Sequence, residues 1–207
     1  QKKIGHTGTL DPQATGVLPV CLGSATRACE MLTDRTKEYV AELLLGKITD
    51  TQDTTGTVLE EREVAVDEAQ VREVIGSFVG GYDQIPPMYS ALKVNGKKLY
   101  ELARAGKEVE RQARHVDLPA IEILEIRLPV VKFRVECSKG TYIRSLCADI
   151  GGKLGCGGTM QSLVRTRVGE FRLTDALTLT QLQELRDTGR LEEALLPTDR
   201  IFADFNA

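Results

Sequence analysis

The sequence predicts a fold that combines β-strands with α-helices, and three stretches carry that prediction. Apolar and polar residues alternate along residues 121–128 and 130–137, which is the two-residue period of paired strands. Residues 39–45 are largely apolar on both faces, as in a strand buried within a sheet. Residues 67–78 instead place apolar side chains three or four positions apart behind Asp67, a preferred capping residue, and therefore predict a helix.

The composition is that of a globular protein. Of the 207 residues, 42% are hydrophobic and 28% are charged, and no apolar run reaches the length that crosses a membrane. The five cysteines are odd in number and form no C-x-x-C pair, and the two histidines provide no zinc-binding spacing. We therefore expect a soluble, cytoplasmic protein with reduced thiols and no metal ion.

The N-terminal elements surround one carboxylate. Residues 5–16 read G-H-T-G-T-L-D-P-Q-A-T-G, in which glycines and Pro12 hold Asp11 in a loop that suits a ligand. An ordinary turn uses the same residue types, so the loop alone does not identify a site. Residues 17–22 predict a short buried strand, and Ser24 is expected to cap a helix that follows it.

A second polar loop follows the strand at 39–45. Residues 49–56 are rich in threonine and aspartate, but their oxygen atoms are out of register for a calcium loop. Asp50 and Asp53 are therefore expected to accept hydrogen bonds within a turn that leads to a strand at 57–60.

Charge is segregated along the chain. The net charge of −3 argues against nucleic-acid binding by bulk charge. Residues 93–114 nevertheless hold seven basic against three acidic side chains, whereas residues 175–204 hold three against seven. One face is thus expected to meet phosphate groups, although a basic stretch is also typical of a solvent-exposed helix face. Asn95 and Gly96 predict a hairpin turn within the basic stretch.

The C-terminal half predicts strands and two further helices. Pro129 stands between the two alternating strands, where a tight hairpin would favour Gly, Asn or Asp, so either the turn is irregular or the strands are not direct partners. Residues 138–144 lead into a helix whose apolar face carries Leu146, Ile150 and Leu154.

The glycine-rich end of that helix lacks the spacing of a nucleotide-phosphate loop. Residues 168–173 predict another strand. Thr180 and Gln183 then predict a capping box at the start of the last helix.

Three separated motifs resemble the bacterial tRNA pseudouridine-55 synthases of the TruB family. They are G-H-T-G-T-L-D-P at 5–12, K-E-Y at 37–39 and S-K-G-T-Y-I-R at 138–144, with further matches in the family's order at 89–93 and 154–157. The enzymes of this family isomerise one uridine in the T loop of tRNA. They break its N–C glycosidic bond and rejoin the ring to ribose through C5, without a cofactor. The resemblance implies an α+β fold with a mixed, largely antiparallel central sheet flanked by helices.

The resemblance assigns roles to matched residues. Asp11 corresponds to the catalytic aspartate, Arg144 to the arginine that pairs with it, and Tyr142 to a wall of the active site. An arginine beside Asp11 would stabilise its charged form, ready to act as nucleophile or base. The substrate-binding set comprises the residue that enters the T loop, the aromatic that stacks on the flipped base, a second wall residue and two expected phosphate ligands: His6, Tyr39, Leu163, Lys97 and Lys98. Tyr142 and Leu163 are equally compatible with simple core packing.

The chain departs from the family pattern at both termini. It begins inside the pattern, without the Lys-Pro segment and preceding strand, and it ends without the C-terminal PUA domain. We therefore expect a single catalytic domain over residues 1–207, with an RNA-gripping insertion at about 87–115.

Three other functions compete with a stand-alone enzyme. They are a non-catalytic module that binds or folds tRNA, a guide-RNA-dependent pseudouridine synthase subunit, and a purely structural domain. Asp11 argues against the non-catalytic module, and the sequence around Asp11 and the tyrosines resembles the stand-alone bacterial enzymes more than the guide-dependent subunit. The three matching motifs argue against a purely structural domain. A monomer that acts on the T-arm stem-loop of tRNA, with neither membrane nor metal, is the expectation.

Overall fold

The structure is a computed structural model that describes residues 3–94 and 96–198. Its helices are α1 (Cys29–Thr33), α2 (Glu68–Gly76), α3 (Leu99–Arg104), α4 (Ile143–Lys153) and α5 (Leu179–Asp187). Its strands are β1 (Ile4–His6), β2 (Thr15–Gly16), β3 (Val20–Leu22), β4 (Lys37–Leu45), β5 (Lys47–Thr49), β6 (Val58–Glu61), β7 (Tyr82–Gln84), β8 (Lys93–Val94), β9 (Lys97–Lys98), β10 (Arg114–Val116), β11 (Ala120–Arg127), β12 (Val130–Cys137), β13 (Gly158–Val168) and β14 (Phe171–Arg172).

A central sheet organises these elements. Its strand order is β11-β12-β4-β13-β14, with antiparallel neighbours throughout, and β2 adds a parallel pairing to β13. One face of the sheet packs on α2 and α4, which contribute Val71, Ile75, Leu146 and Ile150 to the same apolar core as Leu43 of β4. The predicted α+β class and the largely antiparallel sheet are confirmed.

The three stretches that predicted the fold form the expected elements. On β4 the Ala41, Leu43 and Leu45 face is fully buried, whereas the opposite face is only half-buried. The capping box of α2 is present: Asp67 Oδ1 accepts from Gln70 N at 2.9 Å, and Gln70 Oε1 accepts from Asp67 N at 2.9 Å. β11 and β12 are direct antiparallel partners, and the turn that joins them contains Pro129 and the cis Leu128–Pro129 peptide.

Both predicted caps at the other helix starts are wrong. Ser24 does not cap a helix, because the chain enters a 3₁₀ turn at Gly23, and α1 begins only at Cys29. The last helix is capped two residues earlier than predicted, by Thr178 with Gln181. The sequence contains two overlapping T-x-x-Q patterns, and local pattern alone does not distinguish them.

Two predicted strands are shorter than expected. Only Val20–Leu22 of the first pairs in a sheet, since Pro19 has no N–H with which to extend the ladder. The predicted strand at 168–173 contains a turn at Gly169, whose φ is +53°, and β14 folds back on the end of β13. The predicted strand at 57–60 is confirmed as β6.

The basic stretch projects from a two-stranded base. β7 and β10 pair antiparallel and bring the two ends of the intervening segment together. Within it, β8 pairs with β9, and α3 follows directly. The predicted turn at Asn95 lies outside the described residues, although the pairing of its flanking strands is that of a hairpin. Over the ranges described, no helix is long and apolar enough to span a membrane.

Candidate active site

Asp11 and Arg144 form a two-point ion pair between distant parts of the sequence. Arg144 Nε donates to one carboxylate oxygen at 2.8 Å, and Nη2 donates to the other at 3.1 Å. The arginine side chain is 5% exposed and the aspartate 32%, so the carboxylate is the member that solvent reaches. A forked contact of this kind fixes the plane of the carboxylate and is stronger than a single charged hydrogen bond.

The loop that carries Asp11 is anchored on the central sheet. Ala14 N donates to the Asp11 carbonyl at 2.9 Å and closes a turn around the aspartate. Beyond that turn, Thr15 and Gly16 pair with Val164 and Arg165 of β13. A β-carbon at Gly16 would lie 2.1 Å from the Arg165 carbonyl oxygen, and its φ is +112°, so this close approach requires glycine.

Arg144 joins two further segments to the ion pair, the loop at 49–56 and the stretch at Tyr89. It lies in the first turn of α4, where Nη1 donates to the Thr51 carbonyl and Nη2 to the Tyr89 carbonyl, both at 2.9 Å. A second carboxylate, Asp53, faces Nε at 3.8 Å and is itself buried. The guanidinium is therefore fixed by its surroundings and holds the Asp11 carboxylate where solvent reaches it.

Asp53 is a site residue that the sequence reasoning treated only as part of a turn. Its Oδ1 does accept hydrogen bonds from Thr51 and Thr55, as the turn interpretation predicted. Its Oδ2 is the atom that faces Arg144. A carboxylate in a threonine-rich loop is the only signal that the sequence offered, and it did not indicate an arginine partner.

Tyr142 lies at the N-terminus of α4, next to Arg144. Its backbone N–H donates to Gln84 Oε1 at 2.8 Å, and its carbonyl accepts from Gln84 Nε2 at 3.0 Å. Burial raises the pKa of its phenol, while the adjacent Ser90 and Arg144 oppose that rise. Gln84, 2% exposed, was not singled out from the sequence, because a glutamine in a short strand carries no pattern.

Tyr39 lies at the start of the buried strand β4, directly opposite Arg165 of β13. Burial is the largest cause that raises the pKa of its phenol, and the negative charge of Asp11 adds to it. The positive charge of Arg165 acts in the other direction. The charges of Asp11 and Arg165 thus act on the Tyr39 phenol in opposite directions.

The remaining predicted residues lie at different distances from this centre. His6, exposed on β1, accepts a hydrogen bond from Gly8 N through Nδ1 at 3.3 Å. Leu163 is 6% exposed, lies opposite Ala41 in the sheet and belongs to the apolar core.

Lys97 and Lys98 lie on the insertion hairpin, and among the described contacts none joins them to Asp11 or Arg144. Lys98 Nζ lies 5.4 Å from the centre of the Tyr100 ring, and the guanidinium carbon of Arg104 lies 5.3 Å from it. Two cations and an aromatic ring at one end of the insertion suit a polyanion that also offers flat bases.

A cavity of about 360 Å³ borders Tyr142 on the side of the β7/β10 base. Basic side chains stand at its wall, namely Arg114, His115 and Lys139. Within residues 3–94 and 96–198, no group of three or more His, Cys, Asp or Glu side chains is placed to hold a metal ion.

Two family models match the chain. Residues 1–143 match the N-terminal domain of the TruB family of pseudouridylate synthases, and residues 144–203 match the C-terminal domain of tRNA pseudouridylate synthase B. The chain is 54% identical to the tRNA pseudouridine synthase B of Alkaliphilus oremlandii over 198 residues, which are 96% of the chain and 65% of that relative. It is 49% identical to the Clostridium tetani protein of the same name over 99% of the chain and 70% of the relative.

Solved structures show the same fold. A Cbf5–Nop10–Gar1 complex includes a chain with a TM-score of 0.74 and 34% identity, which matches 97% of this chain and 53% of its own length. An H/ACA RNP bound to a substrate RNA containing 2′-deoxyuridine gives a TM-score of 0.71 and 31% identity, with 97% and 52% coverage. The chain thus spans about half the length of these structural neighbours and about two thirds of its curated relatives.

Proposed function

The chain belongs to the TruB family of pseudouridylate synthases, and from this premise we propose that it isomerises the T-loop uridine at position 55 of tRNA to pseudouridine. The observation that carries the proposal is the Asp11–Arg144 pair, in which a buried arginine holds a carboxylate that solvent reaches. The names of its relatives support tRNA as the substrate.

The reaction exchanges one bond to ribose for another. The bond between N1 of the uracil and C1′ breaks, a bond between C5 and C1′ forms, C5 loses a proton and N1 gains one. Asp11 is the residue proposed to act on the nucleotide, as nucleophile or base, with its orientation fixed by the Arg144 fork. Because the uracil that is detached from ribose is rejoined to the same ribose, the reaction is an isomerisation and requires no cofactor.

The target base must leave the folded T loop before it reaches Asp11. Tyr39 is proposed to stack on the flipped base, since the charge of Asp11 reaches its phenol and a base gains about 1–3 kcal/mol from an aromatic face. Tyr142 is proposed as the wall of the cleft and His6 as the residue that enters the loop. Lys97 and Lys98 are proposed to bind phosphates through the insertion at 87–115, within a single catalytic domain.

We further propose that the protein acts as a monomer on the T arm, in the cytoplasm. All five cysteines are unpaired in the structure, which suits a reducing compartment.

The test is tritium release from C5-labelled uridine in a T-arm RNA, with the protein as the sole macromolecule added. The proposal predicts that one tritium is released per RNA molecule and that the recovered RNA strand contains pseudouridine. Binding without release would support a non-catalytic RNA-binding module instead. Release that depends on a second, base-paired guide RNA would support the guide-dependent subunit.

A further inference from the structure

Arg165 is a fully buried cation beneath the loop that carries Asp11. Its side chain is only 1% exposed, and it is one of the largest among the fully buried side chains of the described residues. Nε donates to the Val17 carbonyl at 2.7 Å, and Nη2 donates to the Gly8 carbonyl at 3.2 Å. One guanidinium therefore holds the loop both before and after the aspartate.

The backbone of the same residue holds the loop a second time. Val17 N donates to the Arg165 carbonyl at 2.8 Å, and Gly16 pairs with Arg165 in the parallel contact of β2 with β13. Side chain and backbone thus bind the same stretch from one point on the sheet. Any shift of Arg165 would carry the loop with it.

Arg165 also contacts the other half of the site. It is the register partner of Tyr39 across the β13/β4 ladder, and opposite residues on one face of a sheet have adjacent side chains. Its charge lowers the pKa of the Tyr39 phenol, against the larger effect of burial. The arginine therefore lies between the carboxylate loop and the aromatic ring.

Among the described residues, Arg165 has no carboxylate partner within ion-pair distance, and its hydrogen bonds go to neutral groups, namely the Val17 and Gly8 carbonyls and the Tyr39 phenol. A buried cation without a counter-charge is unfavourable, and an apolar side chain of similar volume is often at least as stable. Stability alone therefore gives little reason to keep an arginine here, which directs attention to the two site residues that it joins.

We propose that Arg165 is a positioning residue, which fixes the Asp11 loop and the Tyr39 ring at a set separation from a single point on β13. This inference rests on the proposed function and adds to it a residue that does not touch the substrate. A displacement of about 1 Å at a reacting group can cost on the order of a hundredfold in rate, so the effect is expected in turnover rather than in RNA affinity.

The experiment compares Arg165→Lys, Arg165→Met and the control Arg167→Met under single-turnover conditions with saturating T-arm RNA. Arg167 lies on the same strand but binds Glu136 and the Gly169 carbonyl, away from the loop. We expect Arg165→Met to lower the rate about a hundredfold while T-arm affinity stays within about threefold. Arg165→Lys should have a rate between those of Arg165→Met and the wild type, because lysine keeps the charge but cannot make both guanidinium hydrogen bonds to the loop. Arg167→Met should turn over at the wild-type rate.

A double-mutant cycle with Tyr39→Phe separates positioning from a general loss of structure. If Arg165 acts partly through the phenol, Arg165→Lys should cost less in the Tyr39→Phe background than in the wild type. Should Arg165→Met fail to fold, as judged by urea unfolding, the lysine variant alone decides the question. The proposal is overturned if Arg165→Lys and Arg165→Met both turn over at the wild-type rate or, where Arg165→Met does not fold, if Arg165→Lys alone does so. A loss of RNA affinity that accounts for the whole decrease in rate would also overturn it. If the wild type itself shows no turnover, it is the proposed function that fails.

Discussion

Replacement of Gln84 by methionine should loosen Tyr142 and the start of α4. The Gln84 amide makes three hydrogen bonds: Nε2 donates to the Tyr82 hydroxyl at 2.6 Å and to the Tyr142 carbonyl at 3.0 Å, and Oε1 accepts from Tyr142 N at 2.8 Å. Methionine has a similar volume and cannot replace any of them, so the change removes the contacts without opening a large cavity.

The magnitude follows from the groups left without partners. The Tyr142 backbone N–H loses its protein partner, at about 1–3 kcal/mol for a buried group, whereas the Tyr142 carbonyl still accepts from Leu146 N at 3.0 Å. Tyr142 is only half-buried, so water recovers part of this loss, and we expect a decrease of about 1–2 kcal/mol in the free energy of unfolding. The Tyr82 hydroxyl keeps its bond to Asp149 at 2.8 Å and should contribute little.

Urea unfolding and single-turnover isomerisation of a T-arm RNA measure the two consequences. Turnover should fall more than RNA affinity, because Tyr142 is adjacent to Arg144 in the cleft. Gln161→Met is the matched control, since Gln161 is exposed and makes one long hydrogen bond of 3.4 Å to Glu42. If Gln84→Met unfolds within about 0.5 kcal/mol of the wild type and turns over at its rate, the role of this amide in holding Tyr142 is wrong.

Three further results are expected. Tyr39→Phe should retain most base capture in a T-arm binding assay, whereas Tyr39→Ala should lose about 1–3 kcal/mol of it; equal losses would refute stacking. Neutralising Lys97, Lys98 and Arg104 together should flatten the log–log salt dependence of binding by roughly 0.7 for each lost phosphate contact, and an unchanged slope would remove these residues from the interface. Burial raises the pKa of the Cys137 thiol from 9.0 to about 12, so the folded state keeps a proton that the unfolded state loses. Stability should therefore fall above pH 9 by about 1.4 kcal/mol per pH unit from this thiol, and urea unfolding of Cys137→Ala should lack that share of the slope.

Local pattern was sufficient where one face of an element is buried. The alternation in β11 and β12, the apolar run of β4 and the stripe of α2 each reflect packing on a single core, and that packing determined the observed element. The α5 cap failed for the opposite reason: α5 has no buried residue, and two T-x-x-Q patterns two residues apart satisfy the same capping rule.

The site depended on contacts that no local pattern contains. Asp11 and Arg144 are 133 residues apart, and only the resemblance to a known family paired them before the structure did. Gln84 acts on Tyr142 across 58 residues, and Arg165 acts on the Gly8–Val17 stretch across about 150. Each is a polar side chain on a short or mixed strand, where periodicity reports burial but not partners.

The central claim is that Asp11 is the group that acts on the nucleotide, and one comparison tests it most directly. Wild type, Asp11→Asn and the control Asp50→Asn are mixed in excess with C5-tritiated T-arm RNA, and binding and label release are followed in the same samples. Asp50 is a fair control because its carboxylate caps the Thr57 backbone N–H at 2.8 Å, in a turn outside the ion pair. The expected result is T-arm binding within a few-fold for all three proteins, with release from wild type and Asp50→Asn and none from Asp11→Asn. Release by Asp11→Asn at the wild-type rate would contradict the claim.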